Sequence, residues 1–181
     1  MRYHNITKDD MLNGDGLRVV LWLSGCEHHC KSCQNPITWD PDGGLLFNME
    51  AKKEIFAELE KDYIDGITLS GGDPLHSRNV FDVLSLVKEI RQKYPEKTIW
   101  VYTGYTWEEL ACTLPSRVLT NHDRLCLTRL DILELIDVLV DGKFVEELKD
   151  VAYPWAGSTN QRVIDVKKSL ELNCAIKWRV E

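Results

Sequence analysis

Four short apolar runs, at residues 17–23, 64–69, 99–102 and 136–140, recur along the chain with helical patterns between them. No other feature narrows the possible folds so far. A run such as LRVVLWL is apolar on both of its alternating faces, which marks a strand buried on both sides of a parallel sheet. In the first gap, Asn48 can cap a helix whose Ile55, Phe56 and Leu59 share one face. In the second, Ser77 can cap a helix carrying Val80, Val83, Leu84, Val87 and Ile90 at helical spacing until Pro95 stops it. Thr106-Trp107-Glu108-Glu109 is a capping box that starts a third. Strands alternating with helices imply right-handed βαβ units, hence a parallel sheet, either open or curled towards a barrel. Residues 111–135 read as a helical insertion, and a last strand and helix are expected after Val163. No repeat, low-complexity tract or linker divides the 181 residues, so one domain, 1–181, is expected. That length buries a sufficient core without disulfides or metal.

The chemically distinctive residues fall at the ends of these runs. Ser24-Gly25-Cys26 follows the first, Ser70-Gly71-Gly72-Asp73-Pro74 the second, Tyr102-Thr103-Gly104 the third and Asp141-Gly142-Lys143 the fourth. In parallel α/β architectures the carboxyl ends of the strands form the ligand-binding edge, so the four segments should converge on one site. The formal net charge of −7 argues against a nucleic-acid or anionic-membrane surface, which needs clustered basic residues. The sequence shows neither a signal-peptide pattern nor a membrane-spanning apolar run, so a cytoplasmic protein is expected.

The stretch CEHHCKSCQN, residues 26–35, places three of the six cysteines within eight positions. Haem attachment requires C-x-x-C-H, and Gln34 follows Cys33. Zinc could take Cys26, Cys30 and Cys33 with His28 or His29, although a structural zinc site usually draws its second ligand pair from a separate segment. A disulfide is disfavoured in a reducing compartment. An iron–sulfur cluster on three thiolates fits better. A four-iron cluster normally takes four cysteines, and three would leave one iron open to a ligand, as in a catalytic site.

This C-x₃-C-x₂-C loop after one strand, with Gly71-Gly72-Asp73-Pro74 after the next, resembles the radical S-adenosylmethionine (SAM) superfamily. Asn13-Gly14-Asp15-Gly16-Leu17-Arg18, Cys33-Gln34-Asn35, Tyr102-Thr103-Gly104-Tyr105, Val140-Asp141-Gly142-Lys143 and Gly157-Ser158-Thr159-Asn160-Gln161 narrow the resemblance. The narrower group is the activating proteins of anaerobic ribonucleoside-triphosphate reductase. The resemblance runs from about residue 3 to about residue 166 and is weakest over 111–135. Ser32 stands where the superfamily usually has an aromatic residue, and Asp15 stands where the family usually has proline. The activators tend to have a small residue at the position of Ser32, so that departure sharpens the subfamily.

The resemblance implies a partial (β/α) barrel or curled parallel sheet of radical SAM type, with cluster and SAM at the carboxyl ends of the strands. It makes Cys26, Cys30 and Cys33 the ligands of a [4Fe–4S] cluster whose open iron binds SAM. The expected activity is reductive cleavage of SAM to a 5′-deoxyadenosyl radical, followed by formation of a glycyl radical on the reductase. It places Gly71 and Gly72 against the methionine part of SAM, Asp73 near its ammonium group, and Ser32, Cys33 and Gln34 beside its adenine. Asp141 and Lys143 resemble an element of a related activase that contacts SAM. The implied partners are the catalytic subunit of the reductase and a low-potential electron donor such as a flavodoxin. The alternatives are an activase of a formate-lyase type enzyme, a zinc-stabilised binding module and a simple electron carrier.

Other residues have plainer readings. His28 and His29 read as solvated loop residues, and Asp73 alone could be a helix-start acid. Trp22, Trp100 and Tyr102 read as core, while Trp39 and Trp107 could face a partner. Cys112, Cys126 and Cys174 read as small buried hydrophobes. Asn160 could cap a turn.

Overall fold

The computed structural model describes residues 1–111 and 120–178. Strands β1 (Arg2–Asp10), β2 (Arg18–Leu23), β3 (Leu45–Leu46), β4 (Gly66–Gly71), β5 (Thr98–Tyr102), β6 (Val138–Asp141) and β7 (Arg162–Asp165) form one sheet of order β3-β1-β2-β4-β5-β6-β7. The four apolar runs are its parallel centre, β2, β4, β5 and β6. Antiparallel strands flank them: β1 pairs with β2, β3 with β1, and β7 with β6. The sheet is therefore mixed rather than wholly parallel, and its two edges, β3 and β7, leave it unclosed.

The central order follows the sequence without reversal, and this decides where the helices go. Right-handed crossovers between neighbours taken in one direction put every connecting helix on the same face. Helices α1 (Met49–Leu59), α2 (Val80–Lys93), α3 (Trp107–Leu110), α4 (Asn121–Leu133) and α5 (Val166–Leu172) complete the fold. Val19, Leu21, Ile67, Leu69, Ile99, Val101 and Leu139 from the strands pack with Ile55, Val83, Val87, Ile90, Ile132 and Val166 from the helices in the main core. The alternate strand residues Trp100, Val138 and Val140 build a small separate cluster with Trp155 and Trp178 on the other face, as the period of two requires. Among the described residues that face carries no layer of helices, and it is compatible with the inside of a partial barrel.

Local rules explain most helix starts. Asn48 accepts from the Ala51 N–H at the start of α1, and Thr106 and Glu109 form the expected capping box of α3. The start of α2 differs from expectation. Asn79, not Ser77, occupies the cap position, and its side chain makes no capping bond. Its amide instead donates to the carbonyls of Ser24 at 2.7 Å and Asp73 at 3.0 Å, joining the ends of β2 and β4. Part of the stretch read as an insertion is α4, whose buried Cys126, Ile132 and Leu133 face inward; Cys112 lies outside the described residues. Cys174, expected to be buried, is exposed because it follows the end of α5.

Arg18 is fully buried on the inner face. Its guanidinium donates to the Asp15, Ile67 and Thr98 carbonyls and to the Thr68 and Thr98 hydroxyls at 2.8–2.9 Å. All five N–H groups are thus used. Burial lowers its pKa to about 10. Among the described residues, no helix is long and apolar enough to cross a membrane.

Candidate functional site

Cys26, Cys30 and Cys33 line one cavity of about 800 Å³ at the carboxyl ends of the parallel strands, together with Gly71, Gly72 and Asp73. The loop leaves β2 under tight backbone control. Gly25 N–H donates to the Thr38 carbonyl at 2.7 Å and Cys26 N–H to the Trp39 carbonyl at 3.1 Å. His29 and Ser32 adopt left-handed φ of +46° and +56° between the first and third cysteines. All three thiols are free. Among the described residues, no three metal-ligating side chains converge into a ready-made metal site. The loop brings all three cysteines to the lining of the same cavity. Burial pushes the Cys26 thiol up to about 11, against N–H donors from His28 and His29.

The glycine pair is pressed against this loop. Gly71 has φ of +94°, and a Cβ there would lie 2.9 Å from the Leu23 backbone. At Gly72 a Cβ would lie 2.6 Å from the Gly25 carbonyl oxygen. Gly72 N–H donates to the Leu23 carbonyl and Asp73 N–H to the Gly25 carbonyl, each at 2.8 Å. The lead into Cys26 is thereby stapled to the end of β4.

Asp73 is 1% exposed. Its carboxylate accepts from Leu75 N–H at 2.8 Å, from the Thr103 hydroxyl at 2.9 and 3.0 Å, from Gly104 N–H at 3.1 Å and from His28 Nε2 at 2.6 Å. Because an ionised carboxylate only accepts, Nε2 carries the proton. The reading of His28 as solvated is thus corrected. Its side chain is 6% exposed and stands edge-on to Tyr105 at 4.7 Å. Tyr105 in turn donates to Glu27 and accepts from Arg129 at 2.8 Å. His29 is exposed, as expected.

The other sequence candidates divide. Gln34 and Lys143 border the large cavity. Ser32 does not line it, and its hydroxyl donates to Glu146 at 2.6 Å beside the pair Lys31–Glu146. Asp141 borders a neighbouring cavity of about 490 Å³ with Asn160 and Arg162. It is buried, accepts from Trp107 N–H at 2.7 Å and pairs with Arg162. Arg162 also bridges to Glu108, holding that carboxyl below its ordinary range. Asn160 donates to the Lys143 carbonyl at 2.8 Å and fixes the turn after β6.

Sequence reasoning missed several lining groups. Trp100 is core as expected, but Trp22 and Tyr102 are half-buried and line the cavity. Burial raises the Tyr102 pKa. Trp107 is buried, whereas Trp39 is half-buried and edge-on to His29. Residues 149–157 and the β1–β2 turn residues Met11 and Leu12 complete the walls. Only an alternation of apolar and polar residues on the inner face, visible once the strands are placed, would have pointed to Trp22 and Tyr102.

A family described as 4Fe-4S single cluster domains matches residues 12–164. The chain is similar to an anaerobic ribonucleoside-triphosphate reductase-activating protein of Salmonella typhimurium, 44% identical over 90% of this chain and 97% of the relative. Proteins of the same description from Escherichia coli (strain K12) and Enterobacteria phage T4 are 42% and 39% identical, each over 90% of this chain and over 97% and 93% of the relative.

Proposed function

This chain belongs to the family of anaerobic ribonucleoside-triphosphate reductase-activating proteins, with an iron–sulfur domain, and from that membership we propose that it is a radical SAM activase of the reductase. When bound and reduced, a [4Fe–4S] cluster supplies the electron that splits SAM into methionine and a 5′-deoxyadenosyl radical, which takes a hydrogen atom from a glycine Cα of the reductase. Cys26, Cys30 and Cys33 are the proposed ligands, leaving one iron for SAM. The observation that carries this reading is that they line one cavity with Gly71, Gly72 and Asp73.

In this reading the protein's residues position the reactants and exclude water. The half-buried backbone of Gly71 and Gly72, which lines the cavity, faces the methionine part of SAM. Asp73 contributes a buried negative charge near the ammonium group rather than a vacant oxygen, since four protein groups already donate to it. Cys33 and Gln34 run beside the adenine, with Ser32 turned towards Glu146. Lys143 reaches the cavity directly, while Asp141 holds the end of β6 through Arg162 and Trp107. A single domain, 1–181, carries the site. The partners are the reductase and a low-potential donor such as a flavodoxin, in the cytoplasm.

The test is anaerobic reconstitution with iron and sulfide, reduction, and addition of SAM and the reductase. Brown protein holding about four irons per chain, 5′-deoxyadenosine in the supernatant and a glycyl radical by electron paramagnetic resonance are the expected outcome. Colourless protein with stoichiometric zinc would overturn it. A radical formed only on a formate-lyase type enzyme would change the partner and keep the chemistry.

A further inference from the structure

Glu27, His29, Lys31 and Ser32 of the cysteine loop are exposed, and His28 alone among them turns its side chain inward. Its imidazole fills the space between the ends of β4 and β5. On one side it donates to the Asp73 carboxylate at 2.6 Å. On another it lies over Gly104, so closely that a Cβ on Gly104 would come within 2.3 Å of His28 Cδ2. The Tyr105 ring closes the third side, and its hydroxyl, donating to Glu27, ties the residue just before His28 to the same strand end.

We infer that His28 is a positioning residue whose imidazole hangs the segment between Cys26 and Cys30 on the buried Asp73 carboxylate, setting the thiols opposite the glycines of β4. Three features carry this. The acceptor is fixed, because Leu75 of its own turn and Thr103 and Gly104 at the end of β5 all donate to Asp73. The donor is desolvated, which strengthens a bond to a charged acceptor and makes its loss costly. The contact sits midway in sequence between Cys26 and Cys30 and ties that stretch to a buried group, whereas the other side-chain ties of the loop, from Glu27, Lys31 and Ser32, lie at exposed positions.

The inference rests on the reading of the cavity as a cluster and SAM site, and the experiment separates the two. Cluster-loaded wild type, His28→Ala, His28→Gln and Gly104→Ala are compared under anaerobic conditions for iron release to a chelator and for SAM affinity by equilibrium dialysis. Far-UV circular dichroism melts verify that each variant is folded. Glutamine keeps an N–H for Asp73, whereas the Gly104→Ala methyl displaces the imidazole by contact while leaving both the histidine and the carboxylate chemically unchanged. His28→Ala and Gly104→Ala should release iron about tenfold faster and bind SAM about tenfold more weakly, while His28→Gln stays within about threefold of wild type, as loss or retention of one charge-assisted hydrogen bond implies. Wild-type iron retention in His28→Ala and Gly104→Ala would overturn the inference, as would glutamine falling with alanine. A wild type that holds iron yet ignores SAM would instead fail the proposed function, and the iron-release comparison would still decide on His28.

Discussion

At Gly72 the obstacle to a side chain is the Gly25 carbonyl oxygen, 2.6 Å from where a Cβ would stand. Gly72→Ala must therefore part the backbone of β4 from the lead into Cys26, at a cost of about 1–3 kcal/mol for overpacking. Thermal unfolding should show this loss; an unchanged midpoint would mean the two loops separate freely. His76 supplies a pH dependence. Burial, opposed by Glu27 and Asp73, lowers its pKa, so the unfolded chain binds the proton more readily than the folded one. Stability is then fully present above the ordinary histidine value of about 6.5 and falls as pH drops through the lower folded value. His76→Gln should flatten the fall that begins below about pH 6.5 in denaturant titrations, and an unaltered slope would assign it to the carboxylates. At this scale the sequence shows which residue types meet but not how their valences are used. Gly71, Gly72 and Asp73 are legible as a unit, yet the saturation of Asp73 depends on Thr103, Gly104 and His28 arriving from elsewhere in the chain.

Elements were legible where burial dictated their pattern and obscure where pairing did. The four apolar runs are β2, β4, β5 and β6 within two residues at each end. By contrast β1, RYHNITKDD, has no apolar alternation and is a strand because β2 offers it an edge, with register shifts along the pair. Ser77 and Asn79 are both sound caps by type, and only the nearby carbonyls of Ser24 and Asp73 explain why Asn79 turns away from the helix. The β1–β2 turn and residues 149–157 form the cavity's rim, where Met11, Leu12 and Val151 are 71%, 81% and 92% exposed. Apolar side chains left so open around a site whose proposed substrate is a protein segment suit a docking rim. Val151→Asp should raise the reductase concentration needed for half-maximal glycyl radical yield about tenfold, the scale of a lost interface anchor, with the yield at saturation retained. Titrating the reductase against radical yield checks this, and a lowered plateau with unchanged half-saturation would place Val151 in the chemistry instead.

For the whole molecule, strand alternation in the sequence already placed the distinctive residues at one edge, because parallel strands bring all their carboxyl ends together. What it left open was the winding of the sheet. The unreversed order β2-β4-β5-β6 supplies that answer by sending every crossover to one face. The main core then lies between the sheet and its helices, built from residues such as Leu21, Ile67, Val87, Ile99 and Leu139, and none of Cys26, Cys30 or Cys33 belongs to it. The main core and the cavity proposed to hold the cofactor thus lie on different sides of the sheet. Iron would stabilise the chain only by binding the folded state, in contrast to small domains that fold around their metal. Chelation of the loaded protein should therefore keep the far-UV circular dichroism spectrum and a single cooperative melt, with a lowered midpoint. Collapse of the helical signal on chelation would make the metal structural and favour a zinc-stabilised module, because a core that spans five strands and the helices behind them has no other reason to depend on three thiols at its rim.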